Sequence, residues 1–270
     1  MRLLLNVVLA TGMLVVIPAG LRLIAVPVAM RRWWWAGALP GAVSLWLPPG
    51  PPAAALAALY LPATAALALL APRAWARARS LPLGLAAATA LATPSIAAVA
   101  LVAERAGRTL WGFEPPILAL TVAHFHYAGF AAALVAGLVA RAAGPGAAAR
   151  LAALSVPAGT LMVLGGYFVA EWAELAGALV LTAGMWTVAW LTFTEVRSGA
   201  PGRATRALLA VSAVVLAASM PLALSWAVGE ATGLPKPSIA WMTATHGVLN
   251  AFGFALCALA AWLRLRPIPL

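Results

Sequence analysis

Apolar stretches long enough to cross a bilayer recur from one end of this chain to the other, and that repetition leaves few folds open. They fall near 3–25, 33–47, 53–71, 82–103, 117–140, 151–170, 175–194, 207–228 and 239–263. The hydrocarbon core of a bilayer is about 30 Å thick and takes about 20 apolar residues in helical form. No water reaches that depth, so every backbone amide must be bonded within its own segment. A soluble core needs nothing like 64% hydrophobic and 9% charged residues in a chain of 270. The expectation is an all-α, polytopic transmembrane helix bundle of about nine spans, one helical domain over residues 1–270 whose first partner is the lipid bilayer. The second stretch is short, and either tilts or forms a tight hairpin with the third through Pro48-Pro49-Gly50-Pro51-Pro52. Arg2 and the apolar run after it resemble a signal peptide, but the run continues to about Val26 with no polar mature region, which reads as a retained helix.

The net charge of +11 does not imply nucleic acid, because the arginines sit in short loops and not on one contiguous face. They alternate from loop to loop. Arg22, Arg31 and Arg32 follow the first span; Arg73, Arg77 and Arg79 the third; Arg141 and Arg150 the fifth; Arg197, Arg203 and Arg206 the seventh; Arg264 and Arg266 the ninth. All six glutamates except Glu195 lie at or near the intervening turns. Positive loops stay inside, so the N-terminus is expected outside and the C-terminus in the cytoplasm, a pattern that eight spans would break. Tryptophans are expected at the two interfaces, Trp33, Trp34, Trp35, Trp75, Trp190 and Trp262 at the inner one and Trp46, Trp111, Trp172, Trp226 and Trp241 at the outer. The arginine-over-lysine and alanine-rich usage fits a GC-rich genome, and the expected location is a bacterial cytoplasmic (inner) membrane. There is no aspartate, and Lys236 is the only lysine. A phosphate-binding loop, an aspartate-rich diphosphate site and an intramembrane Schiff base are thereby excluded. Cys257, alone in an apolar run, reads as a small packing residue.

Two of the three histidines stand in Thr121-Val-Ala-His124-Phe-His126-Tyr127-Ala-Gly129-Phe130, and the third, His246, stands in the last span. An ionisable ring at membrane depth marks a working site. At 1.5 Å per residue, both His124 and His246 lie about 10 Å below the outer boundary. Thr243, His246 and Asn250 share one helix face, as do Thr121, His124 and Tyr127 or Ala128, whereas His126 points about 200° from His124. Thr-x-x-His followed by Gly-Phe occurs in both spans, a faint internal echo. Glu171 and Glu174 flank Trp172 in the turn between spans six and seven, and one of them is a candidate proton partner or ligand. Glu104 and Glu114 read as solvated partners of Arg105 and Arg108. Pro94 and Pro221 lie within spans, and Gly159, Gly165 and Gly166 read as sites of close helix contact.

Three classes of function remain. A transporter would use the histidines and a glutamate for protons or substrate. A membrane enzyme would use His124, His126 and His246 for zinc with a carboxylate, or two histidines on facing helices for haem. A scaffold subunit would use them as packing contacts. His124-Phe-His126-Tyr127-Ala-Gly129-Phe130 together with Thr245-His246-Gly247-Val-Leu-Asn250-Ala-Phe-Gly253-Phe254 resembles the motif pair of the YndJ-like family of bacterial membrane proteins. The helices they bracket make up about half of the chain. The resemblance implies a membrane location and favours transport, since members are filed as transporters of unestablished substrate; it assigns no chemistry or cofactor to the histidines. The expected site is a small-molecule or ion pocket in the outer leaflet built from His124, His246, Asn250 and Thr243, with His126, Tyr127, Glu171 and Glu174 beside them.

Overall fold

The computed structural model describes residues 2–266 and 270. Nine helices account for about four-fifths of them: α1 (Arg2–Gly20), α2 (Val28–Ser44), α3 (Pro51–Arg77), α4 (Leu81–Arg105), α5 (Pro115–Ala143), α6 (Ala147–Gly166), α7 (Glu171–Val196), α8 (Arg203–Thr232) and α9 (Ile239–Leu265). Eight are long and apolar enough to cross a membrane, the architecture of a multi-pass membrane protein. The exception is α2, whose 17 residues reach about 26 Å at 1.5 Å each. It begins earlier than its apolar stretch because Pro27, in extended conformation, opens it at Val28, and it ends before Pro48-Pro49.

Helix ends gather at two faces. At the arginine end, Leu270 joins the α1–α2 connection through Leu270 N–H to Leu23 O (2.9 Å) and Ala25 N–H to Leu270 O (2.8 Å), while Arg264 at the end of α9 donates to Thr205 at the start of α8 (3.1 Å). At the glutamate end, Gly50 N–H donates to Arg105 O (2.7 Å), tying the α2–α3 turn to the end of α4. Arg105 is 1% exposed. Its guanidinium pairs with Glu104 and reaches the carbonyls of Ser44, Leu45 and Leu47 at 3.4–3.5 Å. The sequence led us to expect a solvated Glu104; the structure instead buries it. The negative end of α2 draws the cation inward, and the carboxylate follows it.

The central element is α5, buried on every side from Gly129 to Ala140, as a helix apolar all round should be. It touches α1, α4, α6, α7 and α9. Prolines interrupt the surrounding helices unevenly: α4 breaks at Thr93 ahead of Pro94, whereas α8 runs through Pro221. The seam between α6 and α7 is made by glycines. A Cβ on Gly159 or Gly166 would overlap the backbone of Leu181 or Glu174, and one on Gly177 or Gly184 would strike Val163 or Ser155 and Val156. These two helices meet backbone to backbone.

Five stretches widen into π geometry: Gly12–Val16 in α1, Phe125–Ala132 in α5, Thr192–Val196 in α7, and Thr243–Gly247 and Leu249–Leu256 in α9. In α1 the Ile17 N–H accordingly bonds back to Gly12 O, five residues away. The π segments of α1, α5 and α9 meet one another in the core. Glycine makes this contact possible, since a Cβ on Gly12 would lie 2.7 Å from His126 Nδ1 and one on Gly20 would lie 2.5 Å from the Phe130 ring. Trp34 departs from the interfacial expectation: it is fully buried and donates its indole N–H to Met13 O (3.0 Å).

Candidate functional site

A cavity of about 1000 Å³ opens among α1, α5, α6, α7, α8 and α9 at the glutamate end and reaches about halfway through the bundle. Its walls are helix stripes. On α7 the lining residues are Glu171, Glu174, Ala178, Leu181, Thr182 and Met185, the three-and-four spacing of one face. On α5 the stripe runs from Ile117 through Thr121 and His124 to Ala132, and on α9 from Ile239 through Thr243, His246 and Asn250 to Phe254. Beyond this depth Leu134, Val135, Leu138 and Val139 of α5 are packed with no more than 1% exposure.

His124 of α5 and His246 of α9 both line this space. His246 Nδ1 donates to Ser219 O (2.9 Å), two residues before Pro221. The neutral ring then keeps Nε2 as an acceptor. Asn250 Nδ2 donates to the His246 carbonyl (2.8 Å) and touches its ring, while Asn250 Oδ1 accepts from Ser219 Oγ (3.2 Å). His124 Nε2 is buried and makes no hydrogen bond. Thr182 Oγ1 is in the same state, on a side chain 1% exposed. Unpartnered buried polar atoms are rare and costly, and here two of them line one cavity. Thr121 and Thr243 return their hydroxyl protons to Ile117 O and Ile239 O, and Tyr127 donates to Val8 O (2.8 Å), pinning α5 to α1.

The mouth is acidic and aromatic. Glu171, Glu174, Glu230 and Lys236 line it together with Trp111, Phe113, Tyr167, Phe168 and Trp226. Lys236 pairs with Glu230 and places its ammonium 4.9 Å from the centre of the Trp226 ring. Glu174 is 9% exposed and lies beside the Tyr167 phenol. Burial and then the Glu174 carboxylate push the Tyr167 phenol above its usual range, so it remains a donor. Phe113 stands edge-on to both Tyr167 (5.7 Å) and Phe168 (5.8 Å), and Trp111 edge-on to Phe168 (6.3 Å). A hairpin-like turn presents these rings: Leu110 and Phe113 exchange both backbone bonds, with Trp111 at φ 55° and Gly112 at φ 83°. Two consecutive residues at positive φ define the mirror-image turn, and glycine takes the second at little cost.

The YndJ-like protein family matches residues 7–254. The chain belongs to the YndJ-like family. No curated protein and no solved structure matches it. Both motifs of this YndJ-like chain converge on the cavity, but not every motif residue does. His124, Tyr127, Thr243, His246, Asn250, Glu171 and Glu174 line it. His126 does not: it is fully buried on the opposite side of α5, its Nε2 3.1 Å from the Tyr60 hydroxyl and its Nδ1 without a partner beside Gly12. The three-histidine metal set expected as an alternative therefore does not assemble, because α5 turns His126 away from the other two. Among the described residues no group of three or more His, Cys, Asp or Glu side chains is placed to hold a metal ion. Thr182 and the mouth aromatics went unrecognised in the sequence; the clustering of Trp111-Gly-Phe113 and Tyr167-Phe168 in two glutamate-end turns was the available signal.

Proposed function

We propose that this chain is a transporter of the bacterial cytoplasmic membrane, one helical domain with its glutamate end outside and its arginine end in the cytoplasm, and that the cavity is its substrate site. The observation that carries this reading is a one-sided cavity whose blind end holds buried polar atoms without partners, His124 Nε2 and Thr182 Oγ1. A packing role for His124 would satisfy that nitrogen. His124 binds substrate or a proton, His246 offers Nε2 from the facing helix, and Asn250 holds the His246 ring in place. The arginine-rich connections support the orientation.

Transport also needs passage through the arginine-end half, which is closed by packed side chains. The π segments of α1, α5 and α9 supply a means of opening it. Returning a π turn to α geometry removes one residue from the turn and rotates everything beyond it by about 100°. In α5 that rotation would separate the two halves on either side of Phe125–Ala132.

Cysteine accessibility tests this without knowledge of the substrate. Ala128→Cys places a thiol in the cavity near His124, on a Cys257→Ala background. A transporter gives labelling by a membrane-impermeant maleimide in whole cells and also in inside-out vesicles. Labelling from the outer face alone under every ion gradient tried would make the cavity a closed pocket and end the transport reading.

A further inference from the structure

The mouth of the cavity contains two carboxylate-and-aromatic pairs in different states. In one, Glu230 and Trp226 hold the Lys236 ammonium between them. In the other, Glu174 stands against the Tyr167 phenol, with Phe113, Phe168 and Trp111 beyond it, and makes no ion pair. The only lysine in the chain is already bound to Glu230. Three carboxylates thus face one ammonium. A carboxylate 9% exposed that makes no ion pair is unfavourable in a weakly polar setting unless a cation joins it. Aromatic faces around the same point favour a cation that has shed its water, above all an organic ammonium.

We propose that the cavity binds a drug-sized organic cation, its ammonium group held by Glu174 and the aromatic rings of the mouth and its apolar body lying along α7 towards Thr182 and His124. The proposal rests on the cavity being the substrate site. Size agrees, since about 1000 Å³ lies at the upper end of the range for pockets that take such ligands. The geometry adds a length. Glu174 and Thr182 share one stripe of α7, eight residues apart, which is about 12 Å of helix. Ala178 and Leu181 lie between them on the same stripe, and Met185 lies just beyond Thr182. The ligand therefore carries a hydrogen-bonding group about 12 Å from its charge, to meet Thr182 Oγ1 and His124 Nε2. A bare metal cation is a poor fit, because hard cations need six or more oxygen ligands and no such set converges among the described residues. An anion would meet the carboxylates first.

The test is titration calorimetry on the detergent-purified full chain with three soluble probes of similar size: phenyltrimethylammonium, benzenesulfonate and benzyl alcohol. The expected result is binding of the ammonium probe alone, weakened at least tenfold by Glu174→Gln. Trp111→Leu, at an exposed turn that does not hold the bundle together, is expected to weaken the cation several-fold while the protein stays folded, which separates loss of binding from loss of structure. Binding of benzenesulfonate or benzyl alcohol as tight as that of the cation, unaffected by Glu174→Gln, would overturn the cation assignment and leave the cavity a substrate site. Absence of binding by all three probes also overturns it. In that case the labelling of Ala128→Cys from both faces, or from one, decides separately whether the transport reading survives.

Discussion

Gly165 and Gly166 are neighbours in sequence at the end of α6, yet their replacement by alanine should have opposite effects. A Cβ on Gly165 meets nothing within 4 Å, whereas one on Gly166 would lie 2.9 Å from the carbonyl carbon of Ala173 and closer still to the backbone of Glu174. Neither backbone can step aside by a rotamer change, so α6 and α7 must part by about 1 Å to restore ordinary contact at a seam that depends on close approach. Overpacking of this kind costs about 1–3 kcal/mol, with backbone clashes at the upper end. Gly165→Ala removes chain entropy from the unfolded state and gains about 0.5 kcal/mol. The two variants should then differ by about 2–3.5 kcal/mol, which at about 2–4 °C per kcal/mol is a gap of roughly 4–14 °C in melting temperature. Heating detergent-purified protein in steps and following the monodisperse peak by size-exclusion chromatography measures it. Glu174 is the residue that moves, so Gly166→Ala should also weaken binding of phenyltrimethylammonium and Gly165→Ala should not. Two alanine variants melting within about 2 °C of each other, or in reversed order, would refute the backbone-contact seam.

The buried pair at the end of α4 should respond asymmetrically. Arg105→Ala leaves Glu104 buried without its partner and strips the donor from three carbonyls at the end of α2, a loss of about 3–5 kcal/mol. Glu104→Ala should cost less, because Arg105 keeps those carbonyls and the negative end of α2; equal drops in melting temperature would contradict the assignment. Tyr60→Phe removes only the hydroxyl that meets His126 Nε2, leaving both ring nitrogens of a fully buried histidine unpaired at about 1–3 kcal/mol. Tyr60→Phe combined with His126→Phe should recover most of that loss in the same melt, since two apolar rings leave nothing unsatisfied, and failure to recover would show that His126 does more than pack.

The helices were legible because length and apolarity alone decide what can cross a bilayer, and all nine apolar stretches became helices. The divergence of His124 and His126 was legible too, because the π segment of α5 begins only at Phe125, so His124 still obeys regular helical geometry. Other features left no mark on composition. A π turn changes which carbonyl each amide bonds, not which residues are apolar. The burial of Glu104 and Arg105 depends on carbonyls 58–61 residues away at and just beyond the end of α2, and two adjacent charges beside a loop look solvated until that helix end is placed. Trp33, Trp34 and Trp35 looked like one interfacial belt, but successive residues turn by about 100° around a helix. The middle one faces Met13 while the outer two stay exposed. Thr182 could not be told from Thr187 or Thr194 on the same helix until their hydroxyls proved to bond backbone carbonyls while its own, at the cavity, has no partner.

The echo between α5 and α9 has a clearer basis in backbone geometry than in side-chain spacing. Aligned on their histidines, the two motifs fall out of step, because Gly129 follows His124 by five residues and Gly253 follows His246 by seven. Aligned on their π segments they agree: Phe125–Ala132 and Leu249–Leu256 are each eight residues long, with Gly-Phe at the fifth and sixth positions. In both, the glycine admits a neighbouring β-branched side chain, Thr93 or Val215, to 2.7 Å from where a Cβ would stand. In both, the phenylalanine fills the core at 0% or 2% exposure. The histidines then differ by what precedes the shared unit. In α5, His124 is the last α-helical residue before it. In α9 a second π segment, Thr243–Gly247, comes first, and His246 lies inside it. That added segment is what accompanies the longer spacing, and it lets His246 reach Ser219 O on α8 and still line the cavity with His124. The Gly-Phe unit sets how closely these helices pack, and the extra π turn sets where the second histidine points.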